Sequence, residues 1–240
     1  MKTDILGVAI DNVVTEEAVS LGVALMDKPG FHYVVTPNPE FVLAAKKDEE
    51  FRSVLNSADL ALPDGIGIIY AAKILGRPLK GRATGVDFAQ GLMSAMAGSG
   101  KKLFLLGAKP GVAEQAAQKL TTAHPGLTIC GTNDGYFNED GPVVEKIRSA
   151  GADVVFVCLG APKQELWMRK NGAATGASLA VGLGGCLDVF AGNVQRAPVP
   201  MQKAGLEWLF RLYKEPKRIG RMAKLPLILA DAAVARLGGK

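Results

Sequence analysis

The chain has 240 residues, 48% of them apolar, and a formal net charge of +5. That size supports one large domain, or a domain with an appendage. No apolar run approaches the ~20 residues needed to span a bilayer, and Met1-Lys-Thr-Asp leads into a short strand-like run, unlike a signal peptide.

In chain order, Ile5–Val14 reads as a strand. A helix over Thr15–Met26 follows, with Thr15 as its N-cap and Glu16 and Glu17 at its positive end. Tyr33–Thr36 is a strand entering Pro37-Asn38-Pro39, and Glu40–Ser57 forms one or two helices. Leu60–Leu62 is a short strand that stops at Pro63-Asp64-Gly65. Ile66–Leu75 is helical until Gly76-Arg77-Pro78 breaks it. Thr84–Met96 is a helix and Leu103–Leu106 a strand, and Gly107–Gly111 turns into a helix through Leu120. Leu127–Cys130 is a strand, Gly131–Phe137 a loop and Pro142–Ala150 a helix.

The run Val154-Val-Phe-Val-Cys158 is apolar and β-branched, as in a strand buried on both faces. It ends near Gly160-Ala161-Pro162, and Lys163, Gln164 and Glu165 open the next helix. Ser178–Leu183 is a further strand. This alternation predicts an α/β fold, a parallel sheet with helices on both faces. After Gly192 the texture changes. Arg196-Ala-Pro198-Val-Pro200 reads as a linker, and Gly205–Tyr213 and Ile219–Leu237 as helices interrupted near Pro216 and Pro226. The expected division is a body over 1–195 and a helical appendage over 196–240.

The charge is unevenly placed. From Gly205 onward there are eight Lys or Arg (Arg211, Lys214, Lys217, Arg218, Arg221, Lys224, Arg236, Lys240) against Glu207, Glu215 and Asp231. The first 204 residues hold 20 of each sign. A local basic block of this kind seeks phosphate or anionic lipid.

Four loops follow predicted strands: Thr36–Asn38, Asp64-Gly65, Gly107–Gly111 and Gly160–Glu165. Parallel strands bring them to one sheet edge, where open α/β sheets bind ligands. Asp64 reads either as a helix cap or as a general base. Arg82, in a glycine-flanked loop before a helix, reads either as a phosphate contact or as a solvated side chain. Gly184 and Gly185 let backbone approach a ligand closely, and Asp188 beyond them suits a ribose or a base, or plain helix electrostatics.

Known nucleotide signatures fail. Gly98-Ser-Gly100-Lys-Lys102 lacks the P-loop frame and precedes a strand, and Gly182-Leu-Gly184-Gly-Cys-Leu187 lacks the third glycine of the dinucleotide fingerprint. There is no Asp-x-Asp pair. His32 and His124 lie far apart, and Cys130, Cys158 and Cys186 lack metal-ligand spacing. The cysteines are expected to be buried free thiols in a reducing cytoplasm. With no metal expected, diphosphate charge falls to Arg, Lys and backbone N–H groups.

Thr36-Pro-Asn-Pro-Glu-Phe41, Pro63-Asp-Gly-Ile-Gly67, Gly81-Arg-Ala-Thr-Gly-Val-Asp87, Phe104-Leu-Leu-Gly107, Gly135-Tyr-Phe137, Gly160-Ala-Pro-Lys-Gln-Glu165 with Trp167, Gly182-Leu-Gly-Gly-Cys-Leu-Asp188, Arg196-Ala-Pro198 and Gly205–Arg218 occur in this order. Together they resemble the WecG/TagA/CpsF family of bacterial glycosyltransferases. The resemblance implies a Rossmann-like core and an inverting, metal-independent transfer with no cofactor. The expected donor is a UDP-sugar and the expected acceptor a sugar on a membrane polyprenyl diphosphate. The TagA-like branch transfers N-acetylmannosamine to lipid-linked N-acetylglucosamine, toward wall teichoic acid.

By that resemblance Asp64 is the base, with Thr36, Asn38, Arg82 and Gln164 as catalytic polar residues. Substrate contacts are implied at Gly107, Gly135, Tyr136, Gly160, Lys163, Glu165, Gly184 and Asp188, and at Arg211, Arg218 and Arg221 of an appendage that closes over the site. The implied location is the cytoplasmic face of the membrane, peripherally attached, with a homo-oligomer open and no nucleic-acid partner. UDP-N-acetylmannosaminuronate or UDP-glucose as donor, and a non-catalytic nucleotide-sugar-binding protein, are the competing readings.

Overall fold

A computed structural model describes residues 1–216, 220 and 224–238, without the side chains of Lys203 and Arg211. The strand expected over Ile5–Val14 is a hairpin. Strand β1 (Lys2–Ile5) pairs antiparallel with β2 (Val8–Asp11), and the chain reverses at Leu6 and Gly7, whose φ angles are 55° and 91°. Two successive positive φ values belong to a primed hairpin turn, which the apolar run Ile5-Leu6-Gly7-Val8 conceals. Helix α1 (Thr15–Asp27) has its cap one residue earlier than expected. Val14 is the N-cap, and Glu17 accepts from the Val14 N–H at 3.2 Å.

Then follow β3 (His32–Val35), α2 (Pro39–Ala45), α3 (Glu49–Asn56), β4 (Leu60–Ala61), α4 (Ile66–Ile74) and α5 (Gly85–Met96). The second half holds β5 (Lys102–Gly107), α6 (Val112–Ala123), β6 (Thr128–Asn133), α7 (Asp140–Ser149), β7 (Val154–Cys158), α8 (Lys163–Asn171), β8 (Leu179–Gly182) and α9 (Cys186–Phe190). Strands β3 to β8 form one parallel sheet in the order β4-β3-β8-β7-β5-β6. The α/β architecture is the one the alternation predicts.

Two cores explain the apolar runs. Tyr33, Val35, Phe104, Leu106, Val155 and Val157 face one of them. Their chain neighbours Val34, Leu103, Leu105, Val154 and Phe156 face the other. Successive strand residues point to opposite faces, so a sheet covered twice needs an apolar residue at every position. Edge strand β6 breaks this pattern. It continues through Gly131–Asn133, where a loop was expected, because β5 supplies pairing partners as far as Leu106. A Cβ on Gly131 would lie 2.6 Å from the Phe104 ring, so only glycine lets the two strands meet there.

The C-terminal segment also departs from its reading. Pro198 to Pro200 is not a free linker, since Pro198 caps helix α10 (Val199–Lys203). Helix α11 (Glu207–Lys214) and helix α12 (Lys224–Leu237) follow. The helix expected from Ile219 is described as a continuous element only from Lys224; Ile219 itself lies outside the described residues. Pro226 does not interrupt α12. The helix runs through it from Lys224 to Leu237.

Helix α12 packs on α4 and α2, and Ile228 and Ala232 are fully buried in the first of the two cores. A Cβ on Gly67 of α4 would lie 2.4 Å from Leu225 and 2.6 Å from Pro39, so this glycine permits the close approach of α12 and α2. Lys46 pairs with Asp231 at 2.6 Å, and Arg236 Nη1 donates to the Leu75 carbonyl at 3.5 Å. Ile228→Ala is therefore expected to cost about 2–5 kcal/mol of unfolding free energy in denaturant melts. A loss below about 0.5 kcal/mol, the surface range, would show that α12 is not part of the core.

Candidate active site

Parallel strands end on the same side, and their following loops enclose a cavity of about 550 Å³ at the carboxyl edge of β4, β3, β8 and β7. This lies in the range of small-ligand sites. The loop after β3 supplies Thr36 and Asn38, the loop after β4 supplies Asp64, and the loop before α5 supplies Arg82 and Thr84. Gly160 and Gln164 come from the β7 side, and Gly184 and Asp188 from the turn after β8. Three of the four predicted loops therefore converge, joined by the turn that follows β8. The C-terminal segment closes the opposite wall with Glu207, Trp208, Leu212 and Leu225.

Hydrogen bonds hold these loops in register. The Thr36 hydroxyl donates to the Gly182 carbonyl at 3.0 Å, linking β3 to β8. The Asp64 N–H bonds to the carbonyls of Pro37 and Leu62, and the Ala83 N–H to that of Pro63. Asn38 caps α2, its side-chain oxygen accepting from the N–H groups of Glu40 at 2.8 Å and Phe41 at 3.3 Å. Asn38 also lines the cavity.

Asp64 stands against the start of α5. The Gly85 N–H points at its Oδ2 at 3.4 Å, and the helix N-terminus favours negative charge there. A Cβ on Gly85 would lie 3.2 Å from Thr36 and 3.3 Å from Leu183, so a larger residue would press on the connections after β3 and β8.

Arg82 Nη2 forms an ion pair with Glu207 Oε2 at 2.8 Å and donates to the Gln202 carbonyl at 3.1 Å. Glu207 Oε1 accepts from Arg196 Nε at 3.1 Å, and the Arg196 fork grips both oxygens of Asp87 at 2.6 and 2.8 Å. Burial opposes the charge on Asp87, but the Arg196 fork and the Thr84 hydroxyl outweigh it and hold this carboxyl below its ordinary value. Asp87, Arg196 and Glu207 are the site residues that sequence reasoning missed as a group. Asp87 and Arg196 stand in recognisable motifs, but nothing in the chain signals that positions 109 apart are paired.

Other expected site residues lie elsewhere. Gly107 packs against the Cys158 carbonyl, leaving only 2.3 Å for a Cβ. Gly135 donates its N–H to the Ala108 carbonyl, and Lys163 Nζ donates to the Gly135 carbonyl at 3.2 Å while lying over the Phe137 ring. With Tyr136, 70% exposed, they form a shelf over β5 and β6 that does not line the cavity. Arg218 and Arg221 lie outside the described residues, as does the side chain of Arg211. Within the basic block, Lys224 pairs with Glu40 at 3.5 Å and thus faces the body. The three cysteines are free, with Cys158 and Cys186 buried and Cys130 half-buried. Among the described residues no group of three His, Cys, Asp or Glu side chains is placed to hold a metal ion.

Gln164 lines the cavity and Glu165 does not, and both are buried, 1% and 0% exposed. Gln164 accepts the Gly184 N–H at 2.9 Å and donates to Glu165 Oε1 at 2.6 Å. Gly182 makes room for both, since a Cβ there would lie 3.0 Å from Gln164 Nε2 and 3.2 Å from Glu165 Oε1. The other Glu165 oxygen has no hydrogen-bond partner.

A cavity at the carboxyl edge of a parallel sheet, with a carboxylate at a helix N-terminus, an arginine in the same lining and a wall from the C-terminal segment, is the layout of an α/β ligand-binding enzyme site. The chain belongs to the WecG/TagA/CpsF glycosyltransferase family, whose model matches residues 3–240. It is 36% identical over 217 residues to the N-acetylglucosaminyldiphosphoundecaprenol N-acetyl-beta-D-mannosaminyltransferase of Bacillus spizizenii strain W23, covering 90% of this chain and 84% of that protein. Proteins of the same name are similar in Bacillus subtilis strain 168, with 37% identity over 193 residues (80% of this chain, 75% of that one), and in Staphylococcus aureus strain MW2, with 32% over 238 (98% and 93%).

Burial pushes the Glu165 carboxyl from an ordinary 4.5 up to about 7, against the smaller opposing effect of its Gln164 hydrogen bond. A raised folded value favours the protonated form. Its contribution is complete below about pH 4.5 and is lost as pH rises through about 7. Glu165→Gln should flatten this decline and raise the unfolding free energy at pH 8 by on the order of 3 kcal/mol. An unchanged pH slope in the variant would contradict the assignment.

Proposed function

We propose that this enzyme transfers N-acetylmannosamine from UDP-N-acetylmannosamine to N-acetylglucosamine on undecaprenyl diphosphate, with inversion and without a metal ion. The names of its relatives support the acceptor and the transferred sugar. The observation that carries the mechanism is that Asp64 and Arg82 share one cavity, beside the N-terminus of α5.

Inversion requires a single displacement. An acceptor hydroxyl oxygen bonds to the anomeric carbon as the bond from that carbon to the UDP oxygen breaks. The electron pair leaves on the diphosphate, and the hydroxyl proton passes to Asp64. Arg82 stabilises the charge growing on the leaving diphosphate, an effect that is strongest where water is excluded. The Asn38 NH₂ and the Asp188 carboxylate offer a donor and an acceptor to sugar hydroxyls. Thr36 and Gln164 act by fixing the loops around them. Contacts at Gly107, Gly135, Tyr136 and Lys163 would be made beyond the cavity, on the shelf over β5 and β6.

UDP release by the purified protein, with UDP-N-acetylmannosamine, a short-chain lipid acceptor and excess EDTA, tests this reading. Turnover should persist in EDTA, and Asp64→Asn should lower kcat by about 10²–10⁴-fold. Full activity in that variant would remove Asp64 as the base, and loss of turnover on chelation would overturn the metal-free mechanism.

We further propose peripheral attachment to the membrane that carries the acceptor. No helix among the described residues is long and apolar enough to cross a bilayer. Leu206, Leu209 and Tyr213 nevertheless stand exposed on and beside α11, next to the cavity wall formed by Trp208 and Leu212. Such an apolar face flanked by cations suits an interface. Leu209→Asp with Tyr213→Asp should abolish sedimentation with anionic vesicles while leaving UDP affinity unchanged. Undiminished vesicle binding would place the membrane contact elsewhere.

A further inference from the structure

Arg82 is held in the cavity by a residue that is not its neighbour in sequence. Both of its direct partners, the Glu207 carboxylate and the Gln202 carbonyl, belong to the C-terminal segment. Both contacts, the ion pair and the hydrogen bond, are made through Nη2, which leaves the Nε and Nη1 hydrogens to an incoming anion. Glu207 is 8% exposed, and its second oxygen is taken by Arg196. Arg196 is in turn locked on Asp87, and Asp87 on the Thr84 hydroxyl at 2.6 Å.

The circuit runs Arg82–Glu207–Arg196–Asp87–Thr84 and thus begins and ends in one loop, at positions two residues apart. Arg82, Thr84 and Glu207 all line the cavity. The two carboxylates match the two guanidinium groups, so each charge in this half-buried cluster has an opposite partner. A long, flexible arginine is oriented only if something restrains it. Here the restraint comes from α10, through the Gln202 carbonyl, and from α11, through the Glu207 carboxylate.

We infer that Glu207 is a positioning residue for the donor diphosphate: from the C-terminal segment it sets the direction in which Arg82 presents its free N–H groups. The inference rests on the assignment of Arg82 to the diphosphate made above. It differs from a simple role in fastening the C-terminal segment, because Arg196 also fastens that segment and does not touch Arg82.

Calorimetric titration of the full-length protein with UDP tests it, using Arg82→Ala, Glu207→Ala, the double variant and Arg196→Ala. Glu207→Ala should weaken UDP binding by about tenfold, Arg82→Ala by at least as much, and the double variant no further than Arg82→Ala alone. Arg196→Ala, which cuts the same fastening but spares the Arg82 contact, should weaken it less than Glu207→Ala. Glu207→Gln keeps the side-chain shape and guards against loss of folding in the alanine variant. It should recover most of the affinity by still accepting from Arg82.

Wild-type affinity in Glu207→Ala would overturn the inference, as would equal losses with and without Arg82. Arg196→Ala matching Glu207→Ala would reduce Glu207 to a fastener. Wild-type affinity in Arg82→Ala is the distinct result that would withdraw the diphosphate assignment itself, and this inference with it.

Discussion

The site depends on one non-local pairing, the insertion of β8 between β3 and β7. Strand β8 lies in parallel register with both, His32 opposite Leu179 on one side and Val154 opposite Leu179 on the other. Without it, the loops of the first third of the chain and those after β7 would end on separate sheets. With it, Thr36 bonds to Gly182 across 146 positions, and Asp64 faces Gln164 and Gly184 across a single cavity. The pairing is possible because Leu179, Ala180 and Val181 are apolar on both faces, so β8 is buried as deeply as its neighbours.

The second constraint is closure from the C-terminal end. The segment after Gln195 does two separate things. Helix α12 buries Ile228 and Ala232 in the core that also holds α2 and α4, so it supports the helices behind Asn38 and Asp64. Helix α11 reaches the cavity itself, with Trp208 and Leu212 as apolar wall and Glu207 on Arg82. Glycine permits both contacts. Gly67 lets Leu225 approach α4, and Gly205, with φ of 72°, turns the chain against Ile66 before α11 begins. The net positive charge of this segment, obvious in the sequence, says less about its role than the single carboxylate that meets Arg82.

Much of this was legible from local pattern. Apolar runs marked the central strands, and Gly-Pro and Asp-Gly breaks marked where loops begin. Asp64, Thr36, Asn38 and Arg82 could be named because each follows a strand or precedes a helix in a parallel α/β order. The misreadings were local conflicts won by geometry. Leu6-Gly7 looked like strand interior but carries the turn, Gly131–Asn133 looked like loop but pairs with β5, and Pro226 looked like a break but lies within α12. Glu165, expected among the substrate contacts, is fully buried. One residue makes the difference: Gln164 reaches the cavity wall, while Glu165 turns inward against Gly182.

By itself the sequence determined the α/β order, the residue types at the sheet edge and the family, since these follow from short-range periodicity and motifs that each occupy a few neighbouring positions. Only the tertiary structure decided which edge residues share the cavity, that the shelf at Gly107 and Tyr136 stands apart from it, and that Arg82 is oriented by Glu207. Those outcomes depend on which strands pair and on which charges meet across more than a hundred positions. Contacts at that separation are selected by burial and geometry in the assembled fold, and no local pattern encodes them.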